Sequence, residues 1–163
     1  MEIERKWLIR REDIPYPMDK LERHEIKQLY VSFSPTIRAR CIDECEYILT
    51  VKTRSESAED NKLCRNEYEM PLSLDEYESL EKLSLGRVIR KDRYKITGDD
   101  GYTREIDLFR GEFEGLAYME IEFPDEASAA AFPDPEWVIR DVTRDGRFSN
   151  ASLSRSGMPE NIL

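Results

Sequence analysis

The sequence has few cysteines and no long apolar segment. Its three cysteines, Cys41, Cys45 and Cys64, form no CxxC pair and follow no signal peptide, which argues against a disulfide-stabilised secreted scaffold and favours a reducing cytoplasm. The CIDEC segment at 41–45 lacks the additional soft ligands that a zinc site needs. No apolar run approaches the roughly 18 residues of a membrane span, so no membrane association is expected.

Positive charge is also in short supply. The 35 acidic residues outnumber the 25 basic ones and give a net charge of −10, which argues against a nucleic-acid partner because phosphate backbones attract basic surfaces. A local basic pocket inside an acidic shell is compatible with this balance. The sequence contains no Walker loop, no GxSxG motif and no Rossmann glycine pattern. His24, the one histidine, lies in the charged segment LERHEIK and is predicted to be a solvated loop residue rather than a catalytic base.

Most of the chain instead shows short segments in which apolar and polar residues alternate. At 163 residues it is predicted to form one domain, 1–163, with a core that needs no disulfide support. Turn residues separate nine such segments, which favours an antiparallel all-β sheet or barrel. The predicted strands are 2–9, 26–33, 36–42, 46–54, 63–70, 87–96, 103–109, 117–123 and 138–143.

Two or three helices are predicted between these strands. Ser73 and Glu76 form a capping box, Gly86 is placed just after the end of the helix, and the apolar stripe between them consists of Leu74, Tyr77, Leu80 and Leu83. A second helix is predicted over 125–132 and a short third one near the C-terminus, capped by Asn150.

Each predicted strand has one charged side and one apolar side. In EIERK, at 2–6, the two glutamates and the lysine share a face, with the glutamates roughly 7 Å apart. A single strand of this kind is typical of a sheet whose charged side meets water. Doublets of like charge on strand after strand repel each other on a plain surface. They favour a barrel with a charged lumen and with its apolar sides, including Trp7, packed outward; Trp137 is also predicted to pack outward.

Paired carboxylates and paired bases together indicate a polyanion that binds with a metal. Carboxylate doublets suit Mg²⁺ or Mn²⁺. Arginine and lysine doublets suit phosphate oxygens, which arginine binds in a bidentate manner. A nucleotide or an inorganic polyphosphate satisfies both sets, whereas a carboxylate metabolite needs fewer cations and fits less well.

Seven segments, in order along the chain, resemble the CYTH-domain proteins of the triphosphate tunnel metalloenzyme superfamily. They are EIERK at 2–6, RAR at 38–40, LTVK at 49–52, RNEYE at 65–69, RKDRY at 90–94, EID at 105–107 and MEIEF at 119–123. The resemblance covers essentially the whole chain and is strongest to small bacterial members that are similar to inorganic triphosphatases. It implies a mainly β (α+β) fold: an eight-stranded antiparallel β-barrel tunnel with a charged lumen and a C-terminal helix near one mouth. It also implies a triphosphate bound end-on with Mg²⁺ or Mn²⁺.

The resemblance further implies roles for individual residues. The metal ligands would be Glu2 and Glu4, with Glu120 and Glu122 facing them across the tunnel, and the catalytic residues would be Glu2, Glu4 and Lys6. The implied phosphate-binding residues are Lys6, Arg38, Arg40, Lys52, Arg65, Lys91 and Arg93, and further lumen positions are Glu67, Glu69, Glu105 and Asp107. Leu29 replaces the glycine that small bacterial members often have before the tyrosine of the second strand, so neither the local bend nor a gating role for Tyr30 is carried over.

The expected function is hydrolysis of inorganic triphosphate by a cytoplasmic enzyme, as a monomer or a homodimer. Thiamine triphosphatase, nucleoside triphosphatase and adenylyl cyclase activities are alternatives on the same fold, and each requires a pocket for the organic group at the tunnel mouth. A non-catalytic polyphosphate-binding module is a further alternative, although binding alone does not require both acidic pairs. Arg5 has no assigned role.

Overall fold

The chain folds into nine β-strands and three α-helices in the part that the structure describes. The computed structural model describes residues 2–54, 64–160 and 162, and the side chains at 54, 64 and 65 are outside this description. The strands are β1 Glu2–Leu8, β2 Glu22–Phe33, β3 Thr36–Ile42, β4 Glu46–Arg54, β5 Cys64–Pro71, β6 Leu85–Thr97, β7 Thr103–Arg110, β8 Ala117–Glu122 and β9 Arg140–Asp141. The helices are α1 Leu74–Glu81, α2 Glu126–Ala131 and α3 Asn150–Ser156. None of these helices is long and apolar enough to cross a membrane.

All nine strands belong to one antiparallel sheet, in the order β5-β4-β3-β2-β6-β7-β8-β1-β9. Within β1–β8, the two strands at the ends of this order, β5 and β1, also pair with each other, at Glu2 and Ile3. Further along, at Trp7 and Leu8, the same edge of β1 pairs with β9 instead. The sheet therefore curls into the predicted eight-stranded tunnel with a short seam, and β9 covers the part of the β1 edge that β5 leaves free.

The register assigns one face of every strand to the inside of the tunnel, which we call the lumen face. On β1 and β8 this face carries Glu4 beside Glu122 and Lys6 beside Glu120. Several charged side chains on the lumen face are buried. Asp107, for example, has no exposed surface. On the remaining strands the lumen face includes Gln28, Arg38, Arg40, Thr50, Lys52, Glu67, Lys91, Arg93, Glu105 and Asp107.

Two apolar clusters on the outward face are covered by helices and loops. The larger one lies on β1, β7 and β8 and includes Ile3, Trp7, Ile106, Met119, Ile121 and Phe123, with Ala129 of α2 packed on it. Trp137 packs against the same cluster, so the prediction that Trp7 and Trp137 pack outward is confirmed. The smaller cluster lies under α1 and contains Leu29, Ala39, Cys41 and Tyr77.

Helix α1 has the predicted start but not the whole predicted stripe. The Ser73 side chain accepts a hydrogen bond from the Glu76 backbone, and the Glu76 side chain accepts one from the Ser73 backbone, which confirms the capping box. Tyr77 is buried against the sheet, whereas Leu74 and Leu83 are exposed. The predicted stripe is therefore wrong at both ends, because the side chain of Leu74 is exposed at the first helical position and Leu83 lies beyond the end of the helix.

Helix α3 and the 3-10 turn before it, Gly146–Phe148, close one end of the tunnel, which we call the closed end. Phe148 and Leu153 pack there against lumen-face side chains; the cluster also contains Leu8, Tyr30, Ile89, Phe109 and Tyr118. The prediction of a C-terminal helix near one mouth is confirmed. Its cap is Ser149, whose side chain accepts a hydrogen bond from the Ser152 backbone, and not Asn150, which is the first helical residue.

Two single-residue predictions are wrong. Gly86 does not follow the end of α1; it lies inside β6, with a φ of +65°. His24 is a residue of strand β2 rather than of a loop. Its Nδ1 atom lies 2.7 Å from Asp43 Oδ2 and its Nε2 atom 2.7 Å from Glu22 Oε1. The imidazole is thus held between two carboxylates.

Candidate active site

The acidic lumen residues of β1, β7 and β8 form a single wall on neighbouring strands. β8 is the direct neighbour of β1, and the register puts Glu4 beside Glu122. The prediction that the two glutamate pairs face each other across the tunnel is therefore wrong. With the two acids of β7, they form what we call the acidic wall, which consists of Glu2, Glu4, Glu105, Asp107, Glu120 and Glu122.

The predicted bases of β3 and β4 lie on the opposite side, which we call the basic wall: Arg38, Arg40 and Lys52. Strand β3 is four strands away from β8 in either direction around the tunnel. The Arg40 guanidinium donates through Nε and Nη2 to Gln28 Oε1, at 3.2 and 2.9 Å. Burial, followed by the charges of Arg38 and Arg93, lowers the pKa of Arg40. The basic wall therefore carries positive charges that repel each other.

Ion pairs reach from the basic wall to nearby acids. Lys52 Nζ lies 3.2 Å from Glu2 Oε1, and Arg38 Nη2 lies 3.7 Å from Glu67 Oε1. Lys6, on the acidic wall itself, has its Nζ atom 3.8 Å from Glu120 Oε1. The two longer separations exceed hydrogen-bond distance, so these charges are close together without being tightly bound.

Asp107 holds Arg93 and Lys91 in place. Its carboxylate accepts hydrogen bonds from Arg93 Nε and Nη2, at 2.7 and 2.8 Å, and from Lys91 Nζ, at 2.7 Å. Burial alone raises the pKa of Asp107, but Arg93 and Lys91 outweigh burial and bring that pKa well below its usual range. The Lys91 side chain has no exposed surface. Lys91 therefore neutralises Asp107 from a buried position on the lumen face, and the Arg93 side chain remains partly accessible.

Carboxylates crowd around Glu4. Burial, followed by the charges of Glu120 and Glu2, raises the pKa of Glu4 to about 8. Burial also raises the pKa of Glu120, but Lys6 and Arg93 outweigh it and lower that pKa to about 2. The acidic wall therefore holds more carboxylates than its own bases neutralise.

The acidic wall has the donor atoms that a hard divalent cation prefers. Glu2 Oε2 and Glu120 Oε1 are buried and have no hydrogen-bond partner within the described residues. Together with the crowded Glu4 carboxylate, these free oxygens fit Mg²⁺ or Mn²⁺. Across residues 2–54, 64–160 and 162, no three acidic, histidine or cysteine side chains are already grouped as a metal site. Lys52 and Lys6 lie close to the two carboxylates that carry those free oxygens.

Comparison with known proteins assigns the chain to a family. An inorganic triphosphatase of Nitrosomonas europaea is 34% identical over 158 residues, which cover 95% of this chain and 97% of that protein. The chain belongs to the inorganic triphosphatase family of the CYTH superfamily. An inorganic triphosphatase of Acetivibrio thermocellus is 40% identical over 133 residues, or 80% of each chain. No family model matches the chain.

Solved structures agree with this family membership. The structure of the inorganic triphosphatase NE1496 superposes with a TM-score of 0.67 at 31% identity and covers 98% of this chain and 97% of its own. The protein HpAC1 from Hippeastrum, for which a dominant triphosphatase activity is described, superposes with a TM-score of 0.57 at 15% identity over 80% of this chain and 83% of its own. The second likeness concerns the fold alone.

Three of the predicted site residues of this triphosphatase family member lie at the margin of the described site. Arg65 pairs with Glu2 across the seam, but its side chain is outside the described part. Glu69 and Glu122 are exposed, although the register places both on the lumen face. They therefore line the open mouth of the tunnel rather than its interior.

Two lumen residues were not among the predicted site residues. Gln28 is fully buried, accepts from Arg40 and donates through Nε2 to the Tyr30 hydroxyl at 3.3 Å. Tyr118 lies on the lumen face two residues before Glu120. The alternation of side-chain faces would have identified Tyr118, which shares a face with Glu120 and Glu122. It gives no such signal for Gln28, because the charged residue of that segment, Lys27, is on the opposite face.

The β2 strand is irregular where a glycine was expected. Leu29 points outward and is buried under α1, while Tyr30 belongs to the closed end. The pairing of β2 with β6 shifts between Gln28 and Tyr30. The irregularity is therefore present without a glycine in β2.

Arg5, which had no predicted role, fastens the outer layer to β1. Its guanidinium donates to Asp141 of β9 at 2.6 and 2.9 Å and to Asp134 at 2.5 Å. It also donates to the carbonyls of Ala129 and Phe132, at 3.0 and 2.5 Å. Arg5 therefore holds the end of α2 and strand β9 together on the outside of the tunnel.

Proposed function

We propose that this chain is a cytoplasmic, divalent-metal-dependent enzyme that hydrolyses inorganic triphosphate to pyrophosphate and phosphate inside its tunnel. Identities of 34% and 40% to two inorganic triphosphatases, over most of the chain, support the substrate. The free thiols of Cys41 and Cys45 support a reducing compartment.

One observation carries the proposal: a wall of carboxylates and a wall of bases share one lumen. Arg38, Arg40 and Lys52 offer guanidinium and ammonium donors to phosphate oxygens. Across from them, Glu2, Glu4 and Glu120 offer carboxylate oxygens that repel a phosphate unless a cation lies between. A ligand with several negative charges and an associated divalent cation satisfies both walls at once.

Glu2, Glu4 and Glu120 would hold the metal, with Glu122 at the open mouth. When bound, Mg²⁺ or Mn²⁺ neutralises phosphoryl oxygens and lowers the pKa of a coordinated water. The basic wall, with Arg65 as a further proposed member, positions the triphosphate. Arg93, fixed by Asp107, and Lys6, beside Glu120, stabilise the charge on the phosphoryl oxygens during hydrolysis.

In the proposed reaction, a water oxygen bonds to the terminal phosphorus in line with the breaking P–O bond. Pyrophosphate leaves with the bridging oxygen, and the Glu4 carboxylate orients the water. Because Asp107 and Gln28 already hold Arg93 and Arg40, these guanidinium groups need little rearrangement when the substrate binds. Glu67 and Glu105 pair with Arg38 and Arg93, and Glu69 lies at the open mouth.

A phosphate-release panel tests the proposal. Tripolyphosphate, ATP, thiamine triphosphate and pyrophosphate are each assayed with Mg²⁺, with Mn²⁺ and with EDTA, and cyclic AMP is measured in the ATP samples. Preferred, metal-dependent turnover of tripolyphosphate is expected. Turnover of pyrophosphate but not of tripolyphosphate would overturn the proposal, and cyclic AMP formation would identify a cyclase instead.

The Glu4→Gln variant tests the site. Its rate of phosphate release from tripolyphosphate is expected to fall on the order of 100-fold or more, since a charged group acting on the transition state is lost. Glu12→Gln is the matched control, because Glu12 is an exposed residue of the 3-10 turn Arg11–Asp13. Equal rates in the Glu4 and Glu12 variants would exclude the acidic wall as the active site.

A further inference from the structure

Tyr118 has a buried hydroxyl that the proposed mechanism has not used. The residue has no exposed surface, and its hydroxyl has no hydrogen-bond partner within the described residues. Buried polar groups in folded proteins almost always have a partner, since an unpaired one costs free energy. This hydroxyl therefore calls for a partner that is not one of the described side chains.

Tyr118 lies on the lumen face, beside the proposed substrate site. The register places it opposite Asp107 on one side and Leu8 on the other, on the lumen face. It is two residues from Glu120 on the same face, and the Glu120 Oε1 atom also has no hydrogen-bond partner within the described residues. Lys6 Nζ lies 4.9 Å from the centre of the Tyr118 ring. Tyr118 thus stands where the charged lumen meets the apolar closed end.

Aromatic packing fixes the position of the Tyr118 ring. Phe109 meets it nearly edge-on, with ring centres 5.1 Å apart, and Phe148 lies 6.2 Å away. A ring held on two sides presents its hydroxyl in one direction, so little ordering is needed when a ligand binds.

The Tyr118 hydroxyl is a proton donor in its surroundings. A tyrosine hydroxyl is protonated at neutral pH and can donate one hydrogen bond. It therefore suits an anionic acceptor such as a phosphoryl oxygen.

An unpaired tyrosine hydroxyl alone is not evidence of a ligand, as Tyr77 shows. The hydroxyl of Tyr77 is also buried and without a hydrogen-bond partner within the described residues, but Tyr77 belongs to the outward cluster under α1. The Tyr30 hydroxyl, at the closed end, already accepts from Gln28. Tyr118 differs from both, because its hydroxyl is unpaired and it lies on the lumen face beside Lys6 and Glu120.

We propose that the Tyr118 hydroxyl binds substrate, donating a hydrogen bond to the phosphoryl group that lies deepest in the tunnel. The inference rests on the proposed triphosphatase function and adds a neutral donor to its charged binding residues. The closed end then provides a directional contact to the phosphate as well as an apolar floor.

The test compares Tyr118→Phe with Tyr77→Phe, which removes a buried, unpaired hydroxyl from the outside of the tunnel. Urea unfolding without ligand, the rise of the melting temperature with tripolyphosphate, and the KM for Mg²⁺-dependent phosphate release are measured for both variants and the wild type. Neither variant is expected to be less stable than the wild type without ligand. Tyr118→Phe is expected to raise KM roughly 10- to 100-fold, with a smaller effect on kcat, since a hydrogen bond to a charged group is lost.

Tyr77→Phe is expected to leave KM and the tripolyphosphate effect unchanged. An unaltered KM and melting shift in Tyr118→Phe would overturn the inference, and so would a loss of ligand-free stability, which would show that the hydroxyl has a structural partner. Failure of the proposed function looks different, because the wild type itself would then neither hydrolyse tripolyphosphate nor be stabilised by it.

Discussion

Ser154 of α3 packs directly on Gly86 of β6: a Cβ added to Gly86 would clash with the carbonyl oxygen of Ser154. Gly86 also has a φ of +65°, which favours glycine. Beside this contact, the Ser154 hydroxyl donates a hydrogen bond of 2.7 Å to the carbonyl of Arg87. The close approach fastens α3 over the closed end.

Gly86→Ala should loosen this contact. Gly111 is a matched control, since it has the same φ of +65° but no atom within 4 Å of an added Cβ. We expect Gly111→Ala to lower the free energy of unfolding by about 1 kcal/mol through backbone strain, and Gly86→Ala by about 3 kcal/mol because a clash is added. Urea unfolding measures both losses. Equal losses would show that α3 moves away from the added Cβ without a cost in free energy.

Arg5→Ala should release the outer layer. The variant leaves two carbonyls and a partly buried Asp141 without their donor, so we expect a loss of about 2–4 kcal/mol in the free energy of unfolding. Arg10→Ala removes only an exposed ion pair with Asp13 and should change the free energy of unfolding by less than about 1 kcal/mol. Chemical denaturation compares the two, and similar losses would contradict the fastening role of Arg5.

Glu4→Gln should stabilise the metal-free protein although it lowers the rate of hydrolysis. Burial and the charges of Glu120 and Glu2 disfavour the Glu4 carboxylate, so a neutral amide relieves repulsion. We expect the free energy of unfolding in EDTA to rise on the order of 1–2 kcal/mol. Thermal unfolding with EDTA and then with Mg²⁺ checks this, and Mg²⁺ should stabilise the wild type more than the variant. A less stable variant in EDTA would show that Lys6 and Lys52 outweigh the crowding.

His24 should make stability depend on pH. Hydrogen bonds to Asp43 and then to Glu22 raise the pKa of His24 above 6.5 in the folded state. The stabilisation is therefore complete below about pH 6.5 and is lost as the pH rises through the higher folded-state pKa. Because the imidazole is partly exposed, the loss should not exceed about 1 kcal/mol. Unfolding of wild type and His24→Gln at pH 6 and pH 9 measures it, and parallel changes would contradict the assignment.

The strands and their charged faces were predictable because both depend on local alternation. A shift of one residue would exchange the two faces of β1, moving Ile3 and Trp7 into the lumen and Glu4 into the outward apolar cluster. The need to bury the apolar face therefore determines which residues of each strand point into the lumen. The pairing of strands was not predictable in this way: nothing local in EIERK or MEIEF indicates that β8 lies next to β1, so Glu120 was placed opposite Glu4 rather than in the neighbouring strand.

The helix ends and the roles of isolated residues depended on tertiary contacts. Leu83 continues a helical stripe in the sequence, but the helix ends before it. Gly86 has the appearance of a helix terminator, yet its use is to admit Ser154, a residue 68 positions away in the chain. Arg5 had no local partner at all, since Asp134 and Asp141 reach it only after folding.

The ion pairs between Lys52 and Glu2 and between Arg38 and Glu67 have a thermodynamic consequence. A triphosphate that binds Lys52 and Arg38 takes them from the carboxylates, and a cation that binds Glu2 takes it from Lys52. When only one of the two ligands is bound, the displaced partner, Glu2 or Lys52, is left with an unneutralised charge that attracts the other ligand. In the proposed site the two ligands would therefore help each other to bind, and by linkage each would raise the affinity for the other by the same factor.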